Sequence, residues 1–383
     1  MATLGSVANL QFHYLDAPFL TAASGKYKFG SPLAEFLLAG PAWQWLAYKR
    51  ARTLHAVECF DVVHHITYGS VRQPSFMGKL GIPFLLGPIG GGERAPYRLR
   101  TDYSLRGWAW DVARDLQNFA IRHAPLMRHT FRMASVIYAK TEDSARLVPS
   151  KYRHKVKIGW EIGLEREAIA PINGVARSKH PQAPLKALFV GRLLHFKGAD
   201  FAIRAVHNAL LRNANVELTI VGRGRDKSRL VGLSRSLGIE RRITWIDHLP
   251  QPALFRLYRR HDLLLFPSLH DSSGNVVLEA MGNGLPVVCV DLGGPGNLVN
   301  ATSGIVVSTK GAGRDIVVSR LGQALSALEN DGLREELGAG AHRYAQGLTW
   351  EAVIQNVYRS VPGLAQMPRI LAGLSGVSCL TGV

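Results

Sequence analysis

Residues 267–287 read PSLHDSSGNVVLEAMGNGLPV, and the order of parts in this stretch decides the fold. An apolar run, 263–267, leads into it and reads as a strand that ends at Ser268. A polar loop containing Gly274 follows. A helix is predicted over 276–284, and a second apolar run, 285–290, reads as the next strand. Strand, loop, helix and strand at this spacing make one unit of a parallel sheet.

The same cadence extends upstream. Strands are predicted at 185–191, 216–222 and 243–246. The helix at 199–213 carries Phe201, Ala202, Ala205, Val206, Ala209 and Leu210 at helical spacing. Further helices are expected around 226–237 and 252–260. Five such units predict a doubly wound sheet. Helical patterns at 314–329, 333–347 and 350–361 follow it in the chain.

The first half alternates in a similar way, with strands expected at 8–14, 61–66, 82–87 and 135–140. Thr141 caps the helix after the last of these, with Glu142 and Asp143 in its first turn. A long insertion, 94–132, carries eight arginines against Asp102, Asp111 and Asp115. Within it Leu105, Trp108, Val112, Leu116 and Phe119 recur at steps of three and four, which predicts an amphipathic helix. Residues 170–184 have no period and are rich in Pro and polar residues, so they read as a linker. The expected division is 1–175, 176–345 and a C-terminal helix and tail, 346–383.

The chain has 383 residues, 47% apolar and 19% charged, a globular composition that excludes wholesale disorder, a collagen or a rod. Cys59, Cys289 and Cys379 are scattered and odd in number, which excludes a disulfide framework and a zinc spacing. The N-terminal residues lack the charge-then-apolar order of a signal peptide, and no window is apolar enough to span a bilayer. Forty-six Lys and Arg against 28 Asp and Glu leave a net charge of +18, which calls for an anionic partner.

Four loops carry chemistry. Gly87 to Glu93 follows an apolar strand, and glycines there let backbone approach a phosphate or a sugar; a tight turn is the competing reading. In 191–198, GRLLHFKG, Arg192 and Lys197 project from the carboxyl end of a strand, where a fork-shaped guanidinium and an ammonium suit a diphosphate. A basic surface loop is the plain alternative. Val221 to Gly224 is a weaker turn of the same kind. In 267–287 the N–H groups at the helix start make an anion site. Asp271 and Glu279 lie eight apart, one in the loop and one on the helix, so they cannot pair along one helix face. A ligand across the helix start meets both, with Glu279 accepting from vicinal hydroxyls.

With these residues in view, the chain resembles glycosyltransferase family 4, the retaining, nucleotide-sugar-dependent enzymes of the GT-B fold. The frame from Pro267 to Val287, the loop from Gly191 to Gly198 and the run Gly293-Gly294-Pro295 carry the resemblance over about 185–345. Asp61 to His65 and Gly87 to Glu93 extend it more weakly over 55–165. The resemblance implies two Rossmann-like domains facing a cleft, the first acceptor-side and lacking its opening unit, the second donor-binding.

By position, the resemblance implies that Arg192 and Lys197 neutralise the donor diphosphate and that Glu279 holds the ribose hydroxyls. Asp271 stands where the family usually has Glu, near the transferred sugar. Ser273, Gly274, Asn275 and Val276 would offer main-chain contacts, and Gly90, Gly91 and Gly224 would line the donor. His64 or His65 corresponds to a family histidine near the sugar, or is a core histidine; His65 joins Arg192, Lys197 and Asp271 in the catalytic set. No metal or other cofactor is expected, the nucleoside diphosphate sugar being a co-substrate.

The expected reaction moves a sugar from a nucleoside diphosphate to a hydroxyl acceptor, glycan or lipid-linked, in polysaccharide or glycolipid synthesis. The expected place is the cytoplasm, at the inner face of the membrane, with 94–132 resting on anionic lipid. Nucleic acid is not expected, since no recognised module, aromatic-basic interleaving or Lys/Arg run is present. The alternative is an inactive paralogue of the same fold that acts as a binding partner.

Overall fold

The computed structural model of the chain describes residues 10–15, 39–66, 69–169 and 183–359. In the first half these form α1 (Gly40–Glu58), β1 (Val63–His65), β2 (Phe84–Ile89), α2 (Leu105–Ile121), α3 (Pro125–Met133), β3 (Val136–Ala139), α4 (Glu142–Leu147) and β4 (Val156–Ile158). The strands pair in parallel in the order β1-β2-β3-β4. Every residue of β2 and β3 is buried, as the apolar runs require of strands covered on both faces. Thr141 caps α4 as expected, its Oγ1 accepting from the Ser144 N–H at 3.2 Å.

The second half opens with β5 (Leu185–Val190), α5 (Ala199–Leu210), β6 (Val216–Val221), α6 (Lys227–Ser236) and β7 (Ile243–Ile246). It continues with α7 (Gln251–Arg259), β8 (Leu263–Phe266), α8 (Asn275–Gly282), β9 (Val287–Val290), α9 (Gly293–Leu298) and β10 (Gly304–Val307). Six parallel strands stand in the order β10-β9-β8-β5-β6-β7. The chain therefore starts at the centre of this sheet, winds outward one way through β6 and β7, then crosses β5 and winds the other way. That is the doubly wound order, whereas the four described strands of the first sheet run in sequential order; the two parallel-sheet domains together have the GT-B architecture. The main core lies here, with β8 and β9 buried throughout.

One expectation changes. The strand expected at 8–14 is absent from its described part, since residues 10–15 are irregular. The Gly293-Gly294-Pro295 run forms the start of α9. Gly293 takes φ +61 and Gly294 donates to the Asp271 carbonyl at 2.8 Å, so the turn closes against the loop after β8. The last helices divide between the two sheets. Beyond α10 (Arg314–Ala327) and α11 (Asp331–Gln346), α12 (Trp350–Arg359) crosses back to the first. There Tyr138 donates to the Val357 carbonyl at 2.6 Å, and Val357 and Tyr358 pack with Leu85 and Val136. Backbone bonds at Leu164, to Leu348 and from Trp350, fasten this return. Most of the linker read at 170–184 lies outside the described residues.

Candidate functional site

The order of the second sheet reverses between β5 and β8, and ligands of such sheets bind outside the carboxyl ends of the strands at that point. The loops leaving these two strands are 191–198 and 267–274. They are fastened to each other. Leu269 donates to the Phe196 carbonyl at 2.9 Å. Gly198, with φ +76, brings its backbone so close that a Cβ would lie 2.0 Å from the Pro267 carbonyl oxygen, so no other residue fits there.

This fastening brings Lys197 and Asp271 together as a half-buried ion pair. Asp271 Oδ1 also accepts from the N–H groups of Ser273 and Gly274, at 3.1 and 3.0 Å. Burial works against the Asp271 charge, but Lys197 and these two N–H groups outweigh it and hold the carboxyl below its usual range. Gly274, at φ +79, then turns the chain into α8. The N–H groups of Asn275 and Val276 in its first turn have no acceptor among the described residues and are free for an anion.

Glu279 lies one turn further along α8. Its Oε2 accepts from the fully buried Tyr258 hydroxyl at 3.0 Å. Burial raises the Glu279 pKa, and hydrogen bonds from Tyr258 and Gln251 oppose that rise only in part. Glu279 and Asn275 face an open cavity of about 600 Å³. Ile162, Leu164, Phe255 and Leu278 give it an apolar wall, and Gln251, Glu165 and Glu167 a polar rim. Its size and mixed lining suit a small molecule with one apolar and one hydroxylated end.

Arg192 is exposed, and its guanidinium has no partner among the described residues. Gly224 backs onto the same loop: a Cβ would lie 2.1 Å from the Leu193 carbonyl oxygen, and Leu193 donates to the Arg223 carbonyl at 2.8 Å. Gly224 thus braces the loop that carries Arg192 and Lys197.

The first domain closes the other side. Gly90 sits against the Lys140 chain and Ser272, where a Cβ would come within 3.3 Å of the serine Cβ. The N–H groups of this loop are engaged within the protein: Gly90 to the Gly69 carbonyl at 2.7 Å, Gly91 to Glu93 Oε2 at 2.9 Å, and Gly92 to Ser144 Oγ at 3.1 Å. Its glycines therefore offer close approach and not donors. Lys140 pairs with Glu161, which also takes a bond from the Ser273 hydroxyl, so the two domains meet beside the start of α8.

The adjacent histidines of β1 point to opposite faces of the sheet. His64 bonds the Tyr358 hydroxyl at 3.0 Å and the Gly87 carbonyl at 2.7 Å. Burial depresses its pKa, and it serves as a neutral link between the first sheet and α12. His65 is buried on the opposite side.

Sequence reading did not assign a second constellation. Arg114 of α2 contacts His270 and donates to the Glu93 carbonyl at 2.6 Å. Burial, with Arg114 beside it, depresses His270 to about 4, so its neutral ring accepts a hydrogen bond from the Arg114 guanidinium. Asp111 lies 3.8 Å from His195 and 3.5 Å from the wholly buried Arg100. His195 and His270 both stood in the quoted loops, but Asp111 and Arg114 belong to α2, far away in the chain. Only their spacing with Gly107 and Asn118 on one helix face could have flagged them.

Residues 175–341 match the family described as glycosyl transferases group 1. The D-inositol 3-phosphate glycosyltransferase of Corynebacterium diphtheriae is 33% identical over 187 residues, covering 47% of this chain and 42% of that protein. The enzyme of the same name from Acidothermus cellulolyticus is 29% identical over 232 residues, covering 58% of this chain and 48% of that one. The chain thus spans about half the length of the curated relatives it matches. Among solved structures, a sucrose-phosphate synthase from Thermosynechococcus elongatus superposes with a TM-score of 0.58 at 19% identity, over 91% of this chain and 81% of that one. A lipopolysaccharide outer core galactosyltransferase in its apo form gives 0.56 at 15%, over 82% and 79%. At these identities the solved structures speak to the fold.

Proposed function

We propose, from the match of residues 175–341 to the glycosyl transferases group 1 family, that the protein is a retaining glycosyltransferase using a nucleoside diphosphate sugar. The observation that carries this reading is the convergence of Lys197, Asp271, the free N–H groups of Asn275 and Val276, and Glu279 at the switch point of the second sheet. The cavity beside Glu279 takes the nucleoside, with Glu279 accepting from the ribose hydroxyls. The diphosphate lies against the α8 start, Lys197 and Arg192. The sugar then falls toward Asp271, Ser273 and the loop around Gly90 and Gly91.

As the sugar–phosphate bond breaks, negative charge grows on the leaving phosphate and positive charge on the sugar. The fixed cations and the helix terminus favour the first without reorganising. Asp271, held ionised, meets the second. With donor bound, Lys197 exchanges Asp271 for phosphate, which frees the carboxylate toward the sugar. The acceptor is a hydroxyl of a glycan or a lipid-linked sugar, in polysaccharide or glycolipid synthesis at the inner face of the cell membrane. No helix among the described residues is long and apolar enough to cross a membrane.

A screen of nucleoside diphosphate sugars for donor hydrolysis and transfer tests the reading. Turnover with at least one donor supports it. Nucleotide binding without turnover of any donor would leave a binding protein of the same fold.

Glu279→Gln separates binding from stability. The amide keeps the Tyr258 bond, and a neutral group no longer has its charge buried. The folded pKa of Glu279 is raised, so its ionised form opposes folding at neutral pH, and the variant should melt at the same temperature or higher. Its donor affinity should fall by about 10- to 100-fold, the loss of charge-assisted bonds worth about 1.5–3 kcal/mol. Calorimetric titration and a melting curve check the two halves.

A further inference from the structure

Helix α2 turns its polar face inward. Gly107, Asp111 and Asn118 are its buried residues, and Asn118 receives two bonds from Arg72, at 2.7 and 3.0 Å. The stripe at steps of three and four points to solvent instead. Leu105 is 92% exposed, Trp108 50%, Leu116 67% and Phe119 64%, with Trp110 beside them at 65%. A globular protein seldom leaves so many large apolar side chains uncovered on one helix without something to cover them.

The stripe runs into a strongly basic depression. The Phe119 ring stands 5.7 Å from that of His123. His123 in turn lines a cavity of about 420 Å³ with Arg128, His129, Arg132 and Lys151, and among the described residues no carboxylate lines it. A second depression beside it is formed by Arg122, Arg128 and Arg153. Burial and then the nearness of Arg132 and Lys79 depress the His129 pKa.

We propose that this face docks on an anionic phospholipid bilayer. Trp108, Leu116 and Phe119 enter the boundary between headgroups and acyl chains, and Arg128, Arg132 and Lys151 hold lipid phosphates. Aromatic and aliphatic side chains beside arginines are the composition that a headgroup layer receives. Charge complementarity selects this occupant over a second copy of the chain, whose matching face would bring arginine against arginine. Nucleic acid would satisfy the arginines but leaves the apolar stripe exposed. The opposite face of α2 touches the donor loops through Arg114 and Asp111, so docking brings the cleft to the membrane surface.

Docking goes beyond sugar transfer and needs no donor. Co-sedimentation of the full chain with phosphatidylcholine vesicles, with and without one quarter phosphatidylglycerol, tests it. Binding is expected only to the anionic vesicles. It should resist inorganic phosphate at ionic strength held constant. Leu116→Asp with Phe119→Asp should weaken it at least tenfold. Arg128→Ala with Arg132→Ala should weaken it about 25-fold, which is about fivefold for each basic group at about 1 kcal/mol. Phe119→Leu should bind as wild type does, and an unchanged melting temperature shows that the variants are folded. Equal binding to neutral vesicles, or acidic variants that bind undiminished, would overturn the proposal. So would a dimer that Phe119→Asp dissociates, or duplex DNA binding, where vesicles are not bound. Donor hydrolysis in solution should be unchanged by the Leu116 and Phe119 substitutions, so failure here stays distinct from failure of the transferase reading.

Discussion

Replacing Arg192 and Lys197 together by alanine is expected to lower sugar transfer by about 10³–10⁴-fold. One preorganised group aimed at developing charge contributes about 10²–10³-fold, and two that share a leaving group add less than fully. The loss should fall mainly on kcat, because the charge that these cations meet is greatest as the bond to phosphate breaks. Arg192→Ala alone should leave the melting temperature unchanged, since its side chain is exposed and unpartnered among the described residues. Lys197→Ala also strips Asp271 of its partner. The Asp271 carboxyl is depressed in the folded state, so the stability tied to it is present at neutral pH and lost as pH falls through its folded pKa. With the lysine gone, part of that stability is gone at pH 7 as well. Steady-state kinetics beside melting curves separate the two effects.

Arg100→Ala should be the most damaging single change to stability, at about 3–5 kcal/mol, the cost of breaking a buried ion pair on one side. The Arg100 side chain is 1% exposed and lies between Asp111, equally buried, and Asp115, with contacts of 3.5 and 3.0 Å. Its Nε also donates to the Ala95 carbonyl at 2.9 Å. Burial works against the Asp111 charge, but His195, Arg114 and Arg100 outweigh it and hold the carboxyl below its usual range. The stabilisation requires the ionised acid, so the gap between wild type and variant should be full at neutral pH and close as pH falls through the carboxylate range. Urea denaturation at pH 7 and in steps below pH 4 measures both. Because Asp111 leads to His195, the variant should also loosen α2 from the loop that carries Lys197.

The second domain was legible in the sequence because its core strands are buried on both faces. Runs such as 185–191 and 263–267 need no alternation to be read. The strand β10 escaped because GIVV is four residues long and only partly buried. The helix α1 escaped for the opposite reason. Gly40, Gln44 and Tyr48 are the residues it buries, so it has no apolar stripe to detect. The stripe of α2 was legible, but the role of the polar residues on its inner face was not. Apolar residues at helical spacing define a face without saying what the opposite face meets, and here Asp111, Arg114 and Asn118 take the inner side because the cleft supplies their partners. At the site, residues within one loop could be read together, as Asp271 and Glu279 were. The contacts of Lys140 with Glu161 and of Arg114 with His270 join distant segments, and nothing local announces them.

The most direct test of the donor site is a calorimetric titration of the wild type and Glu279→Gln with uridine, guanosine and adenosine diphosphates, without acceptor. One nucleoside diphosphate should bind the wild type at a single site, and binding should weaken by about 10- to 100-fold in the variant. At a hundred times the dissociation constant the same ligand should stabilise the fold by about 2.7 kcal/mol. Failure of all three to bind at millimolar concentration, or equal binding to wild type and variant, would contradict a nucleotide site at the start of α8.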